Sequence, residues 1–128
     1  MSELERDIRD QPLARPVDIG DVRGQQALEV YTRMAIDETG AAASAGYYGM
    51  AWVQLDRGRD NDALRALTTY QSRFPKGDEG EAVRWMELRI RCLRKVDDAC
   101  RRAAHTYIEH DGGDGPRGRI ASRVTAAH

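Results

Sequence analysis

No run of about 18 apolar residues occurs in this chain, so it contains no segment able to cross a membrane as a helix, and direct membrane insertion is not expected. Excess positive charge is also missing. The 20 Lys and Arg residues are interspersed with 21 Asp and Glu for a net charge of −1. A nucleic-acid module usually carries a basic excess on one face, so no nucleic-acid partner is expected. β-Branched residues are few, whereas Ala, Leu, Glu and Arg are many, and that balance favours helix. The opening MSELERDIRD has no apolar core of the kind a signal peptide needs, although a piece excised from a longer secreted protein would look the same.

Catalytic signatures are missing too. GDGPRG lacks the Lys-Ser/Thr of a phosphate loop, and no nucleophile-elbow sequence occurs. DGGDG lacks the ligand ladder of a calcium loop. His105 and His110 are five apart, which does not align them on one helix face, and they and His128 are read as solvated. The expectation is a protein that is not an enzyme, with no metal and no cofactor.

The two cysteines, Cys92 and Cys100, flank a turn at Lys95-Val96. They are either buried small hydrophobes or a disulfide, and a disulfide would imply an oxidising compartment. A zinc site needs more ligands nearby, and no His is placed to activate a thiol. The expected state is a pair of reduced thiols with their sulfurs in contact across the turn.

What is present is helical periodicity. Residues 1–20 hold Pro12, Pro16 and Gly20 among charges and read as an extended or partly helical lead-in, with a short helix over Glu3 to Arg9. Residues 21–128 read as a single all-α domain. Asp21 is positioned to cap a helix from Val22 to Asp37 with Ala27, Val30, Tyr31 and Met34 on one face. Ala41 to Pro75 forms a complete hairpin. Its first helix carries Tyr47, Met50 and Ala51, a turn follows at Asp56 to Asp60, and its second helix carries Ala63, Leu64, Leu67 and Tyr70 before Phe74-Pro75. From Asp78 to Lys95 one stripe holds Val83, Met86, Ile90 and Leu93, and a second holds Trp85, Leu88 and Cys92, which predicts burial on two sides. Asp97 or Asp98 starts the next helix, with Ala99, Ala103, Ala104, Tyr107 and Ile108 as its packing face. Pro116 suits the first turn of a last helix in which Ile120 and Val124 face inward.

Laid on itself, the chain shows a period of 36 residues. Ala27, Ala63 and Ala99 align, as do Tyr31, Leu67 and Ala103, then Met34, Tyr70 and Thr106, then Thr39, Pro75 and Asp111. A small residue early in the second helix lets the backbones of a hairpin approach, and the larger one four positions on fills the space toward the next hairpin.

This pattern resembles the tetratricopeptide repeat, through Tyr47, Met50 and Ala51 in one helix and Ala63, Leu67 and Pro75 in the next, over roughly residues 22 to 126. Gln54 and Tyr70 depart from the family's usual Tyr and Ala, and Glu87 and Asp111 are off pattern. ALTTYQSRFPKGDEGEAVRWMELRIRCLRKVDDA looks like the bacterial cell-envelope branch that includes the outer-membrane assembly lipoprotein and the Tol-Pal coordinator. The resemblance implies a short right-handed superhelix of antiparallel hairpins. Its parts would be a half-repeat at 21–40, repeats at 41–77 and 78–111, and a capping helix at 116–126. It implies a scaffold for a peptide or partner domain. It also implies that Tyr48, Trp52, Leu55, Arg84, Leu88 and Arg91 line a concave groove, with Tyr47 packed inside; the other reading is that Trp52 packs against the N-terminal lead-in or the neighbouring helix. Aromatic and Arg residues are the usual anchors of such surfaces. The alternative is a self-assembling segment of a larger envelope or regulatory protein, forming homodimers through an exposed end of the stack. The compartment would be periplasmic or envelope-associated for a piece of a longer chain, and cytoplasmic otherwise.

Overall fold

A computed structural model describes residues 2–127 and is all-α; His128 lies outside the described residues. The helices are α1 (Glu3–Asp10), α2 (Gly24–Asp37), α3 (Gly40–Asp56), α4 (Asp60–Arg73), α5 (Gly80–Arg94), α6 (Asp98–Asp111) and α7 (Pro116–Ala126). There is no strand among the described residues. The chain forms two compact units. One ends at Leu13 and resumes at Arg84, and the other is Ala14–Val83. The division therefore falls in the first turn of α5. The lead-in expected over residues 1–20 is split, with α1 in the discontinuous unit and the residues after Leu13 in the continuous one.

In the continuous unit α2 packs on α3, and α3 on α4. The small residues of α3 set this geometry. A Cβ on Gly46 would lie 2.6 Å from the Ala35 amide nitrogen and 2.7 Å from the Tyr31 carbonyl oxygen, so the α2 and α3 backbones are in direct contact. A Cβ on Gly49 would overlap the Tyr31 ring, which lies across that glycine. Helix α2 starts at Gly24, not Val22, and its N-cap is Arg23, which makes no side-chain cap bond. Asp21 does not cap it, because Gly24 takes a positive φ of 55° and turns the chain into the helix two residues later than the sequence suggested.

The stretch from Tyr70 to Glu79, with Phe74, Pro75 and Gly77, is organised around one buried hydroxyl. Tyr70 is buried, and its hydroxyl donates to Glu79 Oε1 (3.1 Å) while accepting from the Glu79 amide (3.0 Å). A side chain at Gly77 would collide with that hydroxyl. Phe74 packs at 5.7 Å from the Tyr70 ring and 6.0 Å from that of Tyr47. Tyr70→Phe is expected to lower the unfolding free energy in urea by about 1–2 kcal/mol, the net worth of the two bonds lost.

The discontinuous unit is built on a core of Ile8, Trp85, Leu88, Cys92, Cys100, Ala104, Tyr107, Ile120 and Val124. Cys92 and Cys100 are joined in a disulfide with Cα atoms 4.7 Å apart. The expected contact between the sulfurs is present, but the expected reduced state is not. The cause is local. Asp97 caps α6 by accepting from the Cys100 amide (3.0 Å), which fixes Cys100 in the first turn after a connection of only three residues, opposite Cys92. Ala103 and Ala104, both small, lie in the same core cluster as the two cysteines. Arg84 holds the far end of α6 through a bidentate pair with Asp111 (2.7 and 2.9 Å). Helix α7 starts at Pro116 as expected, with Ile120 and Val124 buried.

Burial revises the period. The inward residues of α6 are Cys100, Ala103, Ala104 and Tyr107, whereas Ala99 and Thr106 are only partly buried. Thus Ala63, Leu67 and Tyr70 recur 37 residues on, not 36. The same shift carries the buried set Gly46, Tyr48, Gly49, Ala51 and Val53 of α3 onto Val83, Trp85, Met86, Leu88 and Ile90 of α5, every one buried. Pro75 then matches Gly112, a helix terminator with φ of 86°, rather than Asp111, which is still helical.

Candidate functional site

The six residues expected along a groove do not form an open row. Tyr48 is only 2% exposed, and its hydroxyl donates to the Ala14 carbonyl (2.6 Å). Tyr47, expected inside, is the partly exposed member of the pair. Its hydroxyl accepts from Arg73 (2.7 Å), whose guanidinium also lies 5.5 Å from the Tyr47 ring centre. Leu88 is fully buried in the core of its unit. Arg84 is committed to Asp111, and Arg91 to Glu87 one turn earlier (2.9 Å). Trp52 and Leu55 remain half-exposed. Tyr48 is turned inward by its bond to the distant Ala14 carbonyl, and the positions in α5 are displaced by the register. A 36-residue register pairs Tyr48 with Arg84, but the burial pattern pairs it with Trp85, also buried, and pairs Trp52 with Arg89.

Two tyrosine hydroxyls do what the sequence reading missed. Tyr48 holds Ala14, and Tyr31 donates to the Val17 carbonyl (2.8 Å). Further along, Ile19 and Val22 pack against Ala27, Tyr31 and Val53, the cluster that Trp52, Met50 and Met34 also touch. A non-helical segment thus lies on α2 and α3, its carbonyls bound by side chains in place of a ladder. The sequence held a signal for this. A Pro-containing stretch cannot satisfy its own backbone groups, and a buried tyrosine hydroxyl needs an acceptor.

Beside Trp52 is a small cleft of about 190 Å³, lined by Val22, Arg23, Ala27, Tyr31, Trp52 and Asp56. A wider, open depression at the start of α3 includes Ala41, Ser44, Arg73, Phe74 and Lys76. Among the described residues, no three His, Cys, Asp or Glu side chains are grouped as metal ligands would be.

Burial first, and the Asp18 carboxylate second, hold the Tyr31 phenol above its ordinary value. The neutral form is therefore the one the fold prefers. Its contribution is complete below the unfolded value of about 10 and is lost as pH rises through the folded value. Tyr31→Phe is expected to remove this dependence. Urea unfolding between about pH 8 and 11 should show wild type and variant converging as pH rises, and parallel curves would contradict it.

Comparison with protein-family models, curated proteins and solved structures finds no match for this chain.

Proposed function

We propose that the chain is a non-enzymatic interaction module of tetratricopeptide-like hairpins that binds a peptide or partner domain. The observation that carries this reading is the threefold recurrence, at helical spacing on the alternate helices α2, α4 and α6, of Ala27-Tyr31-Met34, Ala63-Leu67-Tyr70 and Cys100-Ala104-Tyr107, all buried except the partly buried Met34. The α2–α3 surface already carries non-helical backbone, since Ala14 and Val17 sit on tyrosine hydroxyls there. The surface available to a partner is centred on Trp52 and Leu55 and the cleft beside them, and large half-buried aromatics are favoured anchors. A disulfide between Cys92 and Cys100 favours an oxidising compartment, in keeping with an envelope role.

The test is crosslinking of the purified chain in an envelope extract, comparing wild type with Trp52→Glu and Leu55→Glu and using Ile36→Glu as the surface control, since Ile36 is exposed on α2. Specific adducts should be lost in the first two and kept in the third, with helical circular dichroism unchanged in all. Adducts indifferent to Trp52 and Leu55 would remove this surface from consideration.

A further inference from the structure

In the discontinuous unit, α1 packs on α7 and on the core beneath it. Helix α1 has eight residues, too few to be stable in isolation. It presents Leu4 and Ile8, one turn apart, to the core that includes Trp85, Ile120 and Val124, with Ile8 fully buried. Its remaining ties are polar and lie at the rim. Asp7 pairs with Arg123 of α7 (2.6 Å), and Arg117 of α7 donates to the Pro12 carbonyl (2.7 Å) while its guanidinium stands 5.6 Å from the Trp85 ring centre. The charges are complementary. Helix α1 carries four acids against two bases, and α7 carries Arg117, Arg119 and Arg123 with no acid. A surface depression next to this contact is lined by Asp7, Asp10, Arg119, Ile120 and Arg123.

A short helix held by one fully buried side chain, the partly buried Leu4 and Leu13 beside it, and rim charges is the kind of element that opens locally without global unfolding. The geometry points to α1 as a displaceable latch, seated in a groove that accepts an amphipathic helix of a partner protein. The partner helix has aliphatic residues at i and i+4, as Leu4 and Ile8 are here, and a carboxylate at i+3 to meet Arg123. This is helix-in-groove recognition, with the tethered α1 as the competing ligand. The inference stands on this unit alone and does not depend on the repeat reading or on Trp52.

The test uses the full chain carrying Leu4→Asp and Ile8→Asp, which removes the apolar grip of α1, and a labelled synthetic peptide of residues 2–13 as the probe. Anisotropy should show saturable binding to this variant and binding at least about tenfold weaker to wild type, where α1 competes in cis. Adding Arg123→Glu should weaken the peptide about threefold, a rim-pair effect, and an Asp7→Arg peptide should restore it. A variant that keeps the helical signal of α2 to α7 yet ignores the peptide would overturn the proposal, and so would equal binding to wild type. If the variant fails to fold, hydrogen exchange on wild type decides. Amides of α1 should exchange at least about tenfold faster than the slowest amides of α6, and equal protection would make α1 an integral part of the core. Wild type should remain monomeric across concentration. A dimer abolished by Ile8→Asp would assign the groove to a second copy instead.

Discussion

Replacing Gly46 with valine is expected to cost the continuous unit about 3 kcal/mol or more, enough to unfold much of it at ambient temperature. The added atoms would occupy the space of the Ala35 amide nitrogen and Tyr31 carbonyl oxygen, at 2.6 and 2.7 Å from even the first carbon. Those are backbone atoms inside α2, so no rotamer change relieves the overlap and the helices must separate. Overpacking a tight core ordinarily costs about 1–3 kcal/mol, and rigid backbone neighbours place this case at the upper end. Gly49→Ala should cost less, because its obstacle is the Tyr31 ring, a side chain that can swing aside. Swinging it, however, breaks the bond from Tyr31 to Val17. Urea unfolding followed by circular dichroism gives both values. A Gly46→Val chain as stable as wild type would show that α2 and α3 are not packed backbone to backbone.

Removing the disulfide is expected to have the second large effect. A bridge between residues eight apart restrains a short loop, and chain entropy gives about 2–3 kcal/mol for a loop of this size. The pair Cys92→Ala and Cys100→Ala should lower the melting temperature by roughly 10 °C, since about 1 kcal/mol corresponds to several degrees in a chain of this length. Alanine, not serine, is the right replacement, because both positions are buried and a hydroxyl would lack a partner there. Before any mutation, alkylation in denaturant without reductant should label neither thiol. Labelling of both would refute the bridge.

Helices α3 to α7 were legible because their signals are local. Pro116 opens α7, Asp97 caps α6 and Phe74-Pro75 closes α4, all within the chain's own neighbourhood. The two apolar stripes of α5 likewise predicted a helix buried on both sides, and Val83, Met86, Ile90, Trp85, Leu88 and Cys92 are buried, with Leu93 partly so. The 36-residue register failed where two alanines lie side by side. Ala103 and Ala104 offer the same side chain to either alignment and both are buried, so neither separates the two. The tether between Cys100 and Cys92 settles it one residue later.

The sequence by itself determined an all-α chain with Pro- and Gly-marked helix ends and a recurring helical unit, because periodicity and capping depend on residues within a turn or two of each other. Only the tertiary structure decided which aromatics face outward. Tyr48 is buried because Ala14, 34 residues earlier, supplies its acceptor, and α1 joins the core of helices α5 to α7 across most of the chain's length. Both depend on where a distant backbone carbonyl or an aliphatic side chain comes to rest. No local pattern encodes that, since a tyrosine or an isoleucine on a helix is equally compatible with either face until a partner covers it.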